Sequence, residues 1–262
     1  MTNVEQIAAL EWANYAATVP LAEVTPGLEV ALREDVIITS SELFPTADAN
    51  HACLLRASPE KASALLDEVT AHFQALERPV TVYLSPACQP ADLEARLLAR
   101  GFVRQAEEES WMLFDLEETP IPPLFKGVEV RHVDEENLPT FARLFLKAFE
   151  LPEEYAPYMV QLLEPSLHLP TVTHYMALAK ETPIGTMTLM QHEDVGILGS
   201  AGVLQHRRGR GAVTNLAITL GTEAREQGAR YVILQTTAGT MLERLLRIGG
   251  FRRLFTRTAF IL

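Results

Sequence analysis

The chain has little cysteine, no long uninterrupted apolar run, no basic leader and no Gly-Lys-Ser/Thr triplet, and each shortage excludes a class of protein. Two cysteines, Cys53 and Cys88, are too few for a disulfide framework or a zinc site and read as small buried or surface thiols, with no metal expected. No stretch approaches the ~20 consecutive apolar residues of a membrane span, so no membrane partner is expected. The start Met1-Thr2-Asn3-Val4-Glu5 lacks the basic segment of a secretory signal, and a cytoplasmic location follows as the expectation. Without Gly-Lys-Ser/Thr there is no Walker A loop.

What is present is a chain of 262 residues, 48% hydrophobic, long enough for two domains with substantial cores. Its charge is unevenly distributed. From Ala201 onward ten arginines face three glutamates, a balance of +7, so the total of −12 leaves −19 on residues 1–200. One basic patch on an acidic body does not make the extended basic surface that nucleic acid requires, and none is expected as a partner. The acidic remainder suits a cationic or amine substrate, and equally a soluble surface.

The basic patch holds the most informative stretch. Val195 to Leu204 is short, apolar and turn-bounded, the pattern of a buried strand. From Ala212 to Gln227 the apolar positions Val213, Leu216, Ala217, Leu220 and Ala224 recur at helical spacing, and Gly228 stands where the helix would end. Between them lies Arg207-Arg208-Gly209-Arg210-Gly211. The first turn of a helix presents unpaired N–H groups and about half a positive charge. Glycines let an anion approach closely, and arginines add forked donors suited to phosphate oxygens. On its own an Arg-Gly-Arg-Gly turn also fits a solvated loop. It is not the dinucleotide fingerprint, because only two glycines fall in register.

Val203 to Ala212 resembles the acyl-CoA-binding motif of the GCN5-related N-acetyltransferases, with Arg208 and Gly211 in register and Val213 standing where that family has glycine or alanine. The resemblance implies a mixed, mostly antiparallel α/β sheet flanked by helices, and acetyl-CoA as acyl donor to the amine of an unknown acceptor, small or peptide. It implies that Ala201, Gly202, Val203 and Leu204 hold the pantetheine arm, with the Val203 N–H toward the thioester carbonyl, and that Arg208, Gly209, Arg210, Gly211, Ala212 and Val213 hold the diphosphate. Glycines at 199 and 202 would ease a bulge in the strand.

The order of elements agrees with the resemblance. A break at Glu117-Glu118-Thr119-Pro120-Ile121-Pro122-Pro123 cannot continue a helix or inner strand. After it the pattern predicts a strand at 128–133, helices at 137–149 and 152–163, a hairpin of 175–179 and 184–189 turning through 180–183, the strand and cradle above, a strand at 231–235, a helix at 240–247, and strands around Phe255 and Phe260. Before the break, Leu93 to Phe102 aligns on Leu242 to Phe251 without gaps, agreeing at Leu93/Leu242, Glu94/Glu243, Leu97/Leu246, Gly101/Gly250 and Phe102/Phe251. The N-terminal part therefore reads as a smaller, degenerate copy. Its helix near 59–76 opens on Ser58-Pro59-Glu60-Lys61, without a glycine-rich turn, and is not expected to bind CoA. The expected organisation is a degenerate domain at 1–118, a linker at 119–126 and an acetyl-CoA-binding domain at 127–262.

The catalytic end is less legible. Where the family often carries a tyrosine, an asparagine and a glutamate, this chain has Leu246, Gly239 and Ile197. Glu193, with Asp194, is a substitute base that equally suits a hairpin turn, and Ser200 is a proton relay that equally suits packing beside glycines. His174 and His206 have a pKa range for proton transfer and are usually structural. Glu150, Glu153, Glu154, Tyr155 and Tyr158 lie where the resemblance implies that the acceptor is gated, or form a solvated face. Two functions stay open: an acyltransferase, and a non-catalytic CoA-binding, assembly or regulatory module on the same fold. The oligomeric state is open too, with a homodimer among the forms allowed.

Overall fold

The computed structural model describes residues 3–42 and 44–262. In chain order its elements are α1 (Val4–Ala16), α2 (Val19–Val24), β1 (Leu28–Leu32), β2 (Ile37–Ser41), β3 (His51–Cys53), α3 (Ala62–Ala75), β4 (Thr81–Leu84), α4 (Leu93–Ala99), β5 (Val103–Asp115), β6 (Glu129–His132), α5 (Leu138–Ala148), α6 (Ala156–Leu163), β7 (Val172–Ala179), β8 (Thr182–His192), β9 (Val195–Val203), α7 (Ala212–Glu226), β10 (Tyr231–Thr237), α8 (Met241–Ile248) and β11 (Arg252–Ile261). The strands make one sheet in the order β1-β2-β3-β4-β11-β5-β10-β9-β8-β7-β6. Neighbours β3 and β4, and β9 and β10, run parallel. The others run antiparallel.

Helices cover both faces because side chains alternate along each strand. On β7, Tyr175 and Ala177 join the core under α7, while Met176 and Leu178 pack against α5. On the α5 side, α1 extends over the middle of the sheet: Ile7, Leu10 and Ala13 share a core with Ile197, Ile233, Trp111 and Phe255.

The repeat seen in the sequence appears as two equivalent units, β3-α3-β4-α4-β5 and β9-α7-β10-α8-β11, whose last strands are exchanged. Strand β11 pairs with β4 from Leu84↔Thr258 to Thr81↔Ile261, and β5 pairs with β10 from Asp115↔Tyr231 to Glu109↔Thr237. The exchanged strands β5 and β11 also pair with each other at the centre of the sheet.

A buried charged cluster fixes this junction. Arg257 on β11, 5% exposed, donates to Tyr15 Oη at 2.8 Å and to Glu109 on β5, and its Nη1 lies 3.7 Å from Glu11 Oε1. Its guanidinium lies over the Tyr83 ring, 4.2 Å from the centroid. The chain of donors continues to His51. That ring donates from Nδ1 to the Ala47 carbonyl at 2.9 Å, so Nε2 accepts from the Tyr15 hydroxyl at 2.6 Å. Burial, with Arg257 near, pushes the His51 pKa down to about 3.

The structure corrects three details of the sequence reading. The strands expected around Phe255 and Phe260 are one strand, β11, kinked by register shifts between Arg253 and Phe255 and between Thr258 and Phe260. The helix expected at 152–163 is a single tight turn, Glu153–Tyr155, followed by α6. Lys180 and Glu181 alone make the β7–β8 turn, both with positive φ, 48° and 63°, and β8 already begins at Thr182.

Candidate functional site

The site begins where two parallel strands part. Strands β9 and β10 pair only from Val195↔Tyr231 to Ile197↔Ile233. Beyond that, β9 stays with β8 as far as Val203 and β10 stays with β5 as far as Thr237. The backbone of 198–203 on the β10 side therefore faces a cleft rather than a strand. Within the cleft β9 bulges: Thr186 pairs with Gly202 and Thr188 with Gly199, so Ser200 and Ala201 together oppose Met187. Ser200 holds φ +52°, and its carbonyl accepts from the Thr186 hydroxyl at 3.0 Å. At Gly202 a Cβ would stand 2.8 Å from the Ala148 side chain and from the Phe149 ring, so only glycine lets the end of α5 close on the strand.

After Leu204 the chain makes a tight turn, Gln205–Arg207, and passes through Gly209 (φ +75°) and Gly211 (φ +84°) into α7. The first helical bond runs from Asn215 N–H to Gly211 O at 2.9 Å, leaving the N–H groups of Ala212, Val213 and Thr214 ahead of it at the helix mouth. Arg208 and Arg210 are exposed and Arg207 is half-buried, with its Nε unpaired. Among the described residues none of the three is ion-paired to a carboxylate. Arg208 Nε donates to the Val203 carbonyl at 3.3 Å, tying the turn to the end of β9. Val213 packs half-buried against the core under α7. The structure thus brings together Val203, Leu204 and 208–213. A Cβ on Gly209 would meet nothing within 4 Å, so the loop is open at the place where an anion would dock on the helix N-terminus.

The sequence reading missed a roof. The 116–125 segment between β5 and β6 crosses the space between α7 and α8, and Asn215, fully buried, clamps it there. The Asn215 side chain accepts from the Phe125 N–H at 2.8 Å and donates to the carbonyls of Phe125 and Val128 at 3.0 and 2.9 Å. Phe125 is thereby set against Gly211, where a Cβ would be 3.0 Å from its own. The clamp's one mark in the sequence is a polar residue among the apolar positions of the buried face of α7. Beneath the roof lies a cavity of about 780 Å³, bounded by β9 at Ala201–Val203, the glycine-arginine turn, α7 and α8.

The catalytic end is apolar. Leu246 is 5% exposed and lines the cavity. Ile197 is buried on the opposite face of the sheet, under α1. Gly239 donates its N–H to Glu243 Oε2 at 2.6 Å, part of the cap of α8. Glu193 sits exposed with φ +49° in the β8–β9 turn, about 26 Å along the strand from Ala201, and is not brought to the cleft. Ser200 lies at the bulge itself. His174 is buried between Ser166 and Thr188. Ser166 donates to the Leu163 carbonyl at 2.5 Å and so accepts from His174 Nε2 at 2.7 Å, which leaves Nδ1 to accept from Thr188 at 2.7 Å. Burial lowers its pKa to about 4, which fits a packing role. His206 is exposed in the turn after β9, and Tyr155 and Tyr158 are exposed near the N-terminus of α6. Among the described residues no three His, Cys, Asp or Glu side chains are grouped to hold a metal, and no helix is long and apolar enough to cross a membrane.

Residues 138–246 match the model of the acetyltransferase (GNAT) family. No curated protein matches the chain. Among solved structures, a GCN5-related N-acetyltransferase from Kribbella flavida shares 16% identity, with 95% of each chain covered and a TM-score of 0.65. A tandem GNAT protein from the clavulanic acid biosynthesis pathway shares 14% identity, covering 97% of this chain and 93% of that one, with a TM-score of 0.62. A GCN5-related N-acetyltransferase from Sphaerobacter thermophilus shares 17% identity, with 98% and 91% covered and a TM-score of 0.61. At these identities the likeness is one of fold, and it runs through both halves of the chain.

Proposed function

We propose that the chain is an acyl-CoA-dependent N-acyltransferase, with acetyl-CoA as the simplest donor, a reading supported by the match of residues 138–246 to the GNAT family model and by a fold shared with GNAT acetyltransferases along its whole length. The observation that carries the reading is the joining of an unpaired, bulged strand edge at 198–203 to a glycine-arginine turn that opens a helix. The pantetheine arm pairs with the free edge of β9. The diphosphate docks on the N–H groups of 212–214, with Arg208 and Arg210 as free counter-charges. An amine of the acceptor attacks the thioester carbonyl while the Val203 N–H stabilises the negative oxygen; the N–C bond forms, the C–S bond breaks, and the thiolate takes up a proton. Water and an amine already neutral at working pH supply the proton transfers that Leu246 and Ile197 do not.

Isothermal titration with acetyl-CoA tests this directly: binding at micromolar to millimolar ligand is expected, and none at millimolar ligand overturns it. The apolar catalytic end, Leu246 above all, favours a second reading, a module that holds acyl-CoA without transferring its group. Release of CoA thiol with a panel of amines separates the two, since binding without release with any amine selects the module.

A further inference from the structure

The cavity reaches further than an acetyl group needs. Its lining follows α7 from Gly211 to Gly221, about 15 Å of helix, and continues past the thioester position at Ala201–Val203 to Val232. Val232 pairs with Gly196, so this end lies about 20 Å of strand deeper than Gly202. The deep end is walled by Phe114, Leu116, Gly221, Val232, Gly249 and Phe251, without a titratable side chain among them. Two of these are glycines on facing sides of the space, and a side chain added at Gly221 would first meet Leu116 at 3.9 Å, so the room is unfilled. Ile121 and Pro122 of the connecting segment line the same cavity, and the space at Gly209 in the glycine-arginine turn is open.

We propose that this deep end is an acyl-chain pocket, and that the donor is a CoA thioester of a fatty acid rather than acetyl-CoA. The proposal rests on the acyl-CoA reading of the cradle. An apolar recess that starts beside the thioester position and runs away from the diphosphate turn matches an acyl chain in direction and in chemistry. Each methylene buried there would add to affinity, whereas an acetyl group leaves the deep end empty.

The test is titration of the full chain with CoA, acetyl-CoA and octanoyl-CoA, on the wild type and on Gly221→Leu, whose side chain fills the deep end far from the cradle. Octanoyl-CoA is expected to bind at least about tenfold tighter than acetyl-CoA, a small part of what six buried methylenes offer once ordering costs are met. Gly221→Leu is expected to abolish that advantage and leave acetyl-CoA affinity unchanged. Leu245→Trp, which fills the space from the half-exposed face of α8, gives the same readout should Gly221→Leu fail to fold. A smaller advantage in the wild type, or one that survives a filling variant that folds, overturns the pocket and leaves the cradle standing. Failure of all three ligands to bind overturns the cradle reading beneath it.

Discussion

At the scale of single residues, two glycines two positions apart make different predictions. Gly209 and Gly211 both hold positive φ, so a side chain at either is strained. Only Gly211 is also crowded, against Phe125 at 3.0 Å, while the space around Gly209 is open. Gly211→Ala is therefore expected to cost ~1–3 kcal/mol in urea denaturation and to weaken acetyl-CoA binding, because Phe125 and the helix mouth must shift. Gly209→Ala is expected to cost less than Gly211→Ala. Equal costs would mean that the contact with Phe125 does not matter. Arg208 and Arg210 act by charge instead: reversing both to glutamate is expected to weaken acetyl-CoA binding by about a hundredfold at low salt and by less at high salt. The turn was legible in the sequence because glycine and arginine do their work locally. Asn215 was not, since nothing within a helix says that its amide holds a segment 90 residues away.

Two buried histidines predict how stability follows pH. His51 has a folded pKa of about 3 and His174 of about 4, both lowered by burial from an ordinary value near 6.5. Each is neutral when folded and takes up a proton on unfolding below pH 6.5. The stability each contributes is therefore complete above pH 6.5 and is lost as pH falls toward its folded pKa, at about 1.4 kcal/mol per pH unit per group. Burial raises the Glu11 pKa, which works in the opposite direction, so the informative quantity is a difference. The stability of wild type minus that of His174→Gln, measured by urea denaturation from pH 7.5 to 4.5, is expected to shrink steadily below pH 6.5. A constant difference would show that His174 titrates in the folded protein as it does in the unfolded one.

At the scale of elements, the exchange of β5 and β11 is held by Arg257. Removing it leaves the Glu11 carboxylate in the interior and Glu109 partly buried, both without their counter-charge. Arg257→Met is expected to cost about 3–5 kcal/mol, and Arg257→Met with Glu11→Gln to cost less than Arg257→Met alone, because the fully buried carboxylate is then gone. Additive losses in the double variant would show that Arg257 and Glu11 act independently. The exchange also marks where sequence reading stopped. The matched segments ending in Gly101-Phe102 and Gly250-Phe251 revealed the repeat, and the apolar runs revealed the strands. Which strand sits beside which is decided by contacts across 150 residues, and β5 has the same apolar pattern whether it closes its own half or the other. The splay of β9 from β10 leaves no mark in the apolar pattern of either strand, whereas the bulge at Ser200 was foreshadowed by the glycines at 199 and 202.

At the scale of the whole molecule, the exchanged strands make the two halves depend on each other. Residues 127–262 alone would lose β5, which lines one side of β10 from Tyr231 to Thr237, and would leave β11 without either of its partners, β4 and β5. They would also lose α1, whose Ile7, Leu10 and Ala13 cover Ile197 and Ile233. Bare strand edges and an uncovered apolar face favour aggregation over a folded monomer. Residues 1–118 would in turn lose β11 from between β4 and β5, splitting their part of the sheet in two. Each half expressed alone is expected to be insoluble or to show no cooperative unfolding. Co-expressed halves are expected to co-purify one to one and to unfold in a single transition, because the missing strands are then restored by the other fragment. The linker adds a second readout. Since residues 116–125 roof the cavity and are anchored through Asn215, a complex assembled from 1–118 and 127–262 lacks most of that roof while its sheet is complete. Its affinity for octanoyl-CoA is expected to fall more than its affinity for acetyl-CoA, because the deep end of the cavity is then uncovered, whereas the glycine-arginine turn keeps all its own residues and loses only its contact with Phe125. A fragment of 127–262 that folds alone and binds both thioesters as the intact chain does would show that neither the exchanged strand nor the roof is needed.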